Sequence, residues 1–321
     1  MLWTVGGFDV MPAQIGRPVH TYSIVACDLD SKELGVAVQS HWFNVGPVVV
    51  WAEAGVGAVA TQSFANVAFG PQGLALLRSG EAPESVIDIV LEGDPGRDLR
   101  QVAMVDASGR VAAHTGVRCI AWADHATGEG WSAQANIMAK PGVPAAMGAA
   151  FEATRGSLAD RLLAALEAAQ EVGGDIRGQQ SAAIRVVSTT PSEDGSPGVR
   201  VDLRVEDHQE PLTELRRLYD VHLAYAHMNA GDTAMERGDF DAAMHEYRQA
   251  SGIQPENLEM RFWAAFTMAT HGRTRESIPL FRDIFARNSR WSELLERLPA
   301  SGLCDAELVR EIVEGTSSSS R

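Results

Sequence analysis

Apolar and polar positions alternate along the first part of the chain in short runs that have the period of β-strands. The segments TYSIVACD and ELGVAVQS flank LDSK, and RQVAMVD and GRVAAHT meet at a short turn sequence, so each pair predicts a β-hairpin. Further strands are predicted at PVVVWAEA, VGAVAT, WSAQANIMA, SAAIRVVST and VRVDLRVED.

Three segments carry helix signals between these strands. PQGLALLRSG has Pro71 as a candidate first residue, PESVIDIVLEG has Pro83, and both end at glycine. SLADRLLAALEAAQEVGG has Ser157 as a candidate N-cap and Asp160 in the next turn. Runs of strands, then helices, then strands predict an α+β layered domain over residues 21–210, rather than an alternating parallel sheet.

After about residue 210 the pattern is helical throughout. Small and aromatic residues fall at the spacing of a tetratricopeptide repeat: Gly231, Gly238, Phe240, Ala243, Tyr247, Ala250 and Pro255. About 34 residues on, Gly272 matches Gly238, while Ser289 stands where a proline is expected. We predict a small all-α, repeat-like domain over residues 211–315 and a disordered tail over 316–321.

Composition excludes several function classes. The 321 residues carry a net charge of −15, which argues against nucleic acid as a partner. No apolar run is long enough to cross a bilayer, so no membrane partner is expected. The three cysteines are far apart, which favours a reducing, cytoplasmic location. No ligand spacing for a metal and no phosphate-binding loop is present, so we expect no cofactor.

The first predicted strand opens with hydroxyl side chains on one face. Because alternate residues of a strand face opposite sides, Thr21 and Ser23 share one face, and Tyr22 and Ile24 share the other. The question is whether Thr21 only begins a strand or also carries chemistry.

The quoted strands, together with AGVGAVATQSFAN, GPQGLALL, CIAWADHATGEGWSAQAN and GGDIRGQQSAA, resemble a bacterial family catalogued as domain of unknown function 1028. That family is placed in the N-terminal-nucleophile (Ntn) hydrolase superfamily. The resemblance covers roughly residues 20 to 225. It implies a four-layer αββα sandwich in which two antiparallel sheets stack between helical layers.

The resemblance also implies a chemistry. In Ntn enzymes the nucleophile is a Thr, Ser or Cys at the start of the first strand, and its own α-amino group is the general base. A free α-amino group has a pKa of about 7.7 to 8, so much of it can accept a proton near neutrality. Thr21 would take both roles, with Ser23 beside it, once residues 1–20 are removed as a leader by cleavage after His20, or if translation starts nearby. Alternatively, the leader stays attached and Thr21 is an ordinary strand residue.

The chain departs from proteasome-type enzymes beside the candidate nucleophile. Those enzymes hold a lysine on a neighbouring strand, where VVVWAEAGVG carries Glu53 and no lysine. Their second strand precedes an acidic-Ser-Arg turn, where this chain has Gln39, Ser40 and His41. The cation that would favour a neutral amine is therefore either absent or replaced by His41, which makes His41 a candidate catalytic residue. A third possibility is hydrolysis without cleavage, with His41 or His114 as the base.

Other polar residues lie at the ends of predicted strands. Asn66 and Asn136 are candidate oxyanion donors. Arg177 would pair with a substrate carboxylate through two hydrogen bonds. The candidate substrate-binding residues are Gln39, Gln62, Ser63, His114, Gln134, Asp175 and Arg177. The alternative for each is a capped turn or a satisfied buried hydrogen bond.

Two functions follow from these residues. The first is hydrolysis of a C–N amide bond in a small molecule. The second is a non-catalytic ligand-binding protein on the same fold, with the helical tail recruiting a protein partner. For the tail itself, the alternative is a stabilising addition without a partner. Because sheet edges in the superfamily are often covered by self-association, a homodimer is also an expectation.

Overall fold

The computed structural model describes residues 21–191 and 195–317, so the predicted leader lies outside the described residues. The chain divides into two compact units, Met1–Arg217 and Leu218–Arg321. The helix Pro211–Glu236 begins in the first unit and ends in the second, which places the division seven residues after the predicted boundary.

The first sheet of the first unit has six antiparallel strands. They are β1 (Thr21–Asp28), β2 (Glu33–Ser40), β7 (Asp124–Gly128), β8 (Trp131–Ala135), β9 (Ser181–Ser188) and β10 (Val199–Val205). The order in the sheet is β10-β9-β2-β1-β8-β7, so β1 is an interior strand. The predicted hairpin of β1 and β2 is confirmed, with Thr21 opposite Ser40.

The second sheet has four antiparallel strands, β3 (Val50–Glu53), β4 (Gly57–Ser63), β5 (Arg100–Asp106) and β6 (Val111–Thr115), in that order. A 3-10 helix, Arg97–Leu99, precedes β5. The segment PVVVWAEA was predicted as one strand, and this is wrong at its start. Pro47 lies in the first turn of a four-residue helix, α1 (Gly46–Val49), and the strand begins only at Val50.

Helices cover the outer face of each sheet. α2 (Phe69–Arg78) and α3 (Pro83–Glu92) pack their apolar faces on β4 and β5, and α4 (Val143–Ala153) and α5 (Leu158–Val172) cover the six-stranded sheet. The predicted cap of α5 is confirmed, because Ser157 Oγ accepts from the backbone N–H of Asp160 at 3.1 Å within a capping box. The α+β, four-layer αββα prediction is therefore confirmed.

The second unit is helical. After α6 (Pro211–Glu236) come α7 (Phe240–Ile253), α8 (Leu258–Thr270), α9 (Thr274–Arg287), α10 (Arg290–Arg297), a 3-10 helix (Leu298–Ser301) and α11 (Ala306–Ser317). Gly238 and Gly272 lie in the turns before α7 and α9 with φ of 76° and 78°, which favours glycine. The tetratricopeptide assignment stays a prediction. Residues 316 and 317, placed in the predicted disordered tail, belong to α11.

Among the described helices, none has the length and apolar character needed to cross a membrane.

Candidate active site

Eight polar side chains fill the space between the two sheets at the end where β1 begins. We call them the polar cluster, and all are 0% exposed: Thr21, Ser23, Ser40, Gln62, Gln101, Ser132, Gln134 and Asn136. β1 directs Thr21 and Ser23 towards the four-stranded sheet, and the register places Ser23 opposite Gln134. Farther along the strands, the same space is filled by valines and other apolar residues.

Groups of the polar cluster satisfy one another across the gap between the sheets. Ser23 Oγ donates to Gln62 Oε1 at 2.6 Å and accepts from Gln134 Nε2 at 2.6 Å. Gln62 Nε2 donates to Gln101 Oε1 at 2.7 Å, and Asn136 Nδ2 donates to the same oxygen at 2.9 Å. Because unpaired polar groups are costly in a dry interior, this mutual pairing is what permits their burial.

Thr21 is held at both its side chain and its main chain. Its Oγ1 donates to Ser40 Oγ at 3.2 Å. Its carbonyl oxygen accepts from the Asn136 backbone N–H at 3.1 Å, from Asn136 Nδ2 at 3.4 Å and from Gln62 Nε2 at 3.3 Å. The first residue of β1 therefore lies among several amide donors that the sheets hold in place.

Gln101 connects the cluster to a histidine, and it was not among the predicted site residues. Gln101 Nε2 donates to Thr115 Oγ1 at 2.9 Å and to the carbonyl oxygens of Asp124 and Ala135. Thr115 Oγ1 lies 2.9 Å from His125 Nδ1. Burial lowers the pKa of His125 below its ordinary value, so the imidazole is neutral near pH 7.

Two predicted residues lie away from the cluster. His114 is opposite Val102, on the face of β6 that carries α2 and α3, and its Nε2 is 3.1 Å from the carbonyl oxygen of Arg97. Asn66 Oδ1 accepts from the Ala68 N–H at 3.2 Å in the turn before α2. The contacts of both side chains agree with the alternative given above, in which each residue makes a local structural hydrogen bond.

Asp175 and Arg177 bind each other in the loop before β9. Arg177 Nε and Nη2 donate to the two carboxylate oxygens of Asp175 at 3.0 and 2.7 Å. The backbone N–H of His41 donates to the same carboxylate at 3.3 Å. Arg177 is therefore already neutralised by an internal acid, and His41 lies beside that ion pair rather than in the polar cluster.

Gln39 and Tyr22 face the helices that cover the six-stranded sheet. Tyr22 OH donates to Gln170 Oε1 on α5 at 2.9 Å, and burial together with the charge of Asp175 raises the pKa of Tyr22 well above 10.0. Both amide atoms of Gln39 are buried without a hydrogen-bond partner. Gln39 is thus separated from the polar cluster by the sheet itself.

Within residues 21–191 and 195–317, neither Lys32 nor Lys140 belongs to the polar cluster. Lys32 lies in the turn between β1 and β2, at the opposite end of β1 from Thr21. Glu53 is also at that opposite end, where it pairs with Arg78 on the surface. Glu53 therefore does not lie beside Thr21, so it does not occupy the position of the lysine in proteasome-type enzymes.

Left-handed backbone conformations occur beside the cluster in residues other than glycine. Ser63, at the end of β4, has φ of 68°, and Ile137, next to Asn136, has φ of 55°. Such conformations cost about 1–3 kcal/mol each and concentrate at functional sites. They are rarest for β-branched residues such as Ile137. Both residues are buried, so the surrounding contacts hold them in place.

Within residues 21–191 and 195–317, no three His, Cys, Asp or Glu residues form a group that could hold a metal ion.

These features define a four-layer α+β sandwich with an enclosed polar centre at the start of an interior strand. The chain belongs to the DUF1028 family, a family of unknown function whose model matches residues 21–215. The crystal structure of protein SPO2555 from Silicibacter pomeroyi, also of the DUF1028 family model, is similar to it with 32% sequence identity and a TM-score of 0.56. That similarity covers 62% of this chain and 84% of the other. No curated protein matches the sequence.

Proposed function

We propose that the protein is an Ntn-type hydrolase that cleaves a C–N amide bond of a small molecule, with Thr21 as nucleophile. The observation that carries this proposal is the position of Thr21. It is the first residue of an interior strand and its hydroxyl faces the polar cluster. The family match begins at the same residue, which supports Thr21 as the start of the functional domain.

Activation requires hydrolysis of the peptide bond between His20 and Thr21. One water molecule is consumed, and the products are a carboxylate on residue 20 and an α-amino group on Thr21. That amino group, with a pKa of about 7.7 to 8, supplies the base beside the hydroxyl without any histidine. The absence of a lysine or histidine from the eight residues of the polar cluster is compatible with this choice of base.

Turnover then takes two steps. Thr21 Oγ1 attacks the amide carbon while its proton passes to the α-amino group, and the resulting ammonium protonates the leaving amine as the C–N bond breaks. The acyl group remains as an ester on Oγ1. Water, deprotonated by the same amine, then hydrolyses the ester and restores Thr21.

Amide donors near Thr21 would stabilise the oxyanion that forms in each step. The side-chain N–H groups of Asn136 and Gln62 lie within 3.4 Å of the Thr21 carbonyl oxygen, so they are within a short reach of any group bonded to Oγ1. Their positions are set by contacts to Gln101 in the second sheet, which keeps them oriented before substrate arrives.

The test is the intact mass and N-terminal sequence of the purified full-length protein after incubation near pH 7.5. We expect a chain that begins at Thr21, and a Thr21→Ala variant that stays whole. Thr127→Ala, which changes an exposed threonine on β7, serves as the control and should be cleaved normally. A wild-type chain that remains intact from Met1 would refute the proposed nucleophile.

A ligand-binding protein without catalysis is the second candidate, and one observation favours it. Thr21 and the rest of the polar cluster are fully buried and bonded to one another, as expected of a structural interior. For this candidate we expect an uncut chain that binds a ligand equally well before and after Thr21→Ala. Turnover that depends on Thr21 would exclude it.

A further inference from the structure

Large apolar side chains are exposed around the end of the sandwich that holds Thr21. In the described part of the first unit, eight large apolar residues are exposed, and only Leu29 and Ile89 lie elsewhere. We call the other six the apolar rim: Phe43, Val67, Val117, Ile120, Trp122 and Ile176. Each follows or precedes a strand end that contributes to the polar cluster or borders it.

The apolar rim is connected to the polar cluster by short lengths of backbone. The loop 116–123, which carries three rim residues, begins after Thr115 and ends at Asp124, and both of these accept hydrogen bonds from Gln101. Ile137, next to Asn136, donates its N–H to the carbonyl of Ile120 at 3.0 Å and accepts from the N–H of Ile176 at 3.2 Å. The loop 116–123 and the loop before β9 are therefore joined through Ile137.

Two residues of the apolar rim are exposed over most of their surface. Val117 is 88% exposed and Ile176 is 65% exposed. A contiguous apolar patch on a folded protein marks a surface that binds something apolar. Ile120 and Ile176 both bond to Ile137, and the N–H of the adjacent Asn136 donates to the Thr21 carbonyl. Because the rim is connected in this way to the proposed catalytic residue, the occupant we consider is part of the substrate.

An arginine in the loop 116–123 adjoins this surface. Arg118 lies between rim residues Val117 and Ile120, is exposed, and makes no side-chain hydrogen bond or ion pair with the described residues. Arg177 is different, because Asp175 neutralises it. Arg118 lies within the loop 116–123 itself, and its planar guanidinium matches a carboxylate.

We propose that the substrate is an N-acyl amino acid, a class that combines a bulky apolar acyl group with a carboxylate next to the amide. This inference rests on the proposed amide hydrolysis. The acyl group would contact the apolar rim, and Arg118 would hold the carboxylate. Water splits the amide bond and the products are a fatty or aromatic carboxylate and a free amino acid. A second copy of the chain is the less favoured occupant, because a net charge of −15 on each copy opposes close association.

Three small amides separate the two parts of this recognition. N-decanoylglycine has both the apolar group and the carboxylate, N-acetylglycine lacks the long chain, and N-decanoylglycinamide lacks the charge. Binding is measured by calorimetry on the full chain, and hydrolysis by detection of the free amine. We expect N-decanoylglycine to bind about tenfold or more tighter than either of the other two.

Two variants test the residues. Arg118→Gln should weaken the binding of N-decanoylglycine about tenfold and change the binding of N-decanoylglycinamide by no more than about twofold. The double variant Val117→Ser, Ile176→Ser should weaken the binding of both decanoyl compounds about tenfold and leave the binding of N-acetylglycine unchanged. Arg155→Gln and Leu29→Ser change an exposed arginine and an exposed apolar residue away from the rim, and should have no effect.

The outcomes separate this inference from the proposed function. Thr21-dependent hydrolysis of other amides, with no preference for decanoyl or carboxylate groups, would overturn the substrate class and leave the hydrolase intact. Binding that depends on Arg118, without a free Thr21 amine or turnover, would keep the ligand class and exclude the hydrolase. A wild-type dimer that becomes monomeric in the double variant, seen by light scattering, would assign the rim to self-association and overturn the inference.

Discussion

Ser23 and Gln62 join the two sheets through a hydrogen bond of 2.6 Å from the serine hydroxyl to the amide oxygen. Sandwich interiors are usually apolar, and this one is apolar only over the part of β1 beyond Ser23. The bond matters because Gln62 also contacts the Thr21 carbonyl and Gln101. One side chain thus connects the candidate nucleophile to both sheets.

Replacing Gln101 with alanine should destabilise the first unit by about 3 kcal/mol. The change removes the acceptor of Gln62 Nε2 and Asn136 Nδ2 and the donor to Thr115, which leaves several buried groups without full pairing. Urea unfolding measures the loss. Gln209→Ala, at an exposed glutamine, is the matched control and should change stability by less than about 0.5 kcal/mol. Equal effects of the two variants would contradict the role of Gln101.

Ser40→Ala should slow the reaction of Thr21 more than it destabilises the fold. Ser40 Oγ accepts a hydrogen bond from the Thr21 hydroxyl and so holds Oγ1 in position. We expect the rate of amide turnover to fall about tenfold, and the free energy of unfolding to fall by about 1 kcal/mol. Rates and urea midpoints are measured on the same preparations. A turnover rate equal to that of the wild type would show that Ser40 does not position Thr21 for the reaction.

His125 should make stability depend on pH. Burial lowers its pKa below 6.5, the charge of His114 lowers it further, and Asp124 partly opposes both. Below about pH 6.5 the unfolded chain therefore binds more protons than the folded protein, so the contribution of His125 is complete above that pH and is lost as the pH falls through its folded pKa. His125→Asn should lose less stability between pH 7.5 and 5.5 than the wild type.

The measurement for His125 is the urea midpoint at several pH values. His245→Asn, at an exposed histidine with no hydrogen bond among the described residues, is the control and should keep the wild-type slope. Parallel curves for the wild type and His125→Asn would show that His125 does not titrate differently in the two states.

Gly148→Ala should destabilise the first unit by about 2 kcal/mol. A Cβ at this position in α4 would lie 2.1 Å from the ring of Trp131, which is buried and donates to Glu152. Thermal unfolding measures the change. Gly93→Ala at the end of α3 has nothing within 4 Å of the added carbon and a negative φ, so it should be close to neutral. A neutral Gly148→Ala would mean that Trp131 can move aside.

Local elements of the fold were predictable from the sequence because their causes are local. The β1–β2 hairpin follows from alternation around a short turn, and the start of α5 follows from Ser157 and Asp160 three residues apart. Gln101 was not predictable in the same way. Its partners Gln62 and Asn136 are 39 and 35 residues away in the chain. Its importance therefore depends on the register of β4 against β5, which places it opposite Gln62.

The face of the strand on which a side chain lies was the second feature that the sequence did not predict. His114 and Thr115 are neighbours at the end of a predicted strand, and only one of them can face the interior. The pairing of Gln101 with Thr115 selects the threonine and turns His114 outwards. The ion pair of Asp175 and Arg177 joins residues only two positions apart, so the spacing in the sequence already allowed it.

The change from hydroxyls to valine along the inner face of β1 also bears on strand alignment. A shift of β1 by two residues against β2 would keep every side chain on its own face, so apolar alternation alone does not forbid it. It would, however, place a serine hydroxyl among valines and pull Gln62 away from Ser23. The interior hydrogen bonds therefore favour one register of β1 against β2. That register also fixes the position of Thr21 relative to the polar cluster.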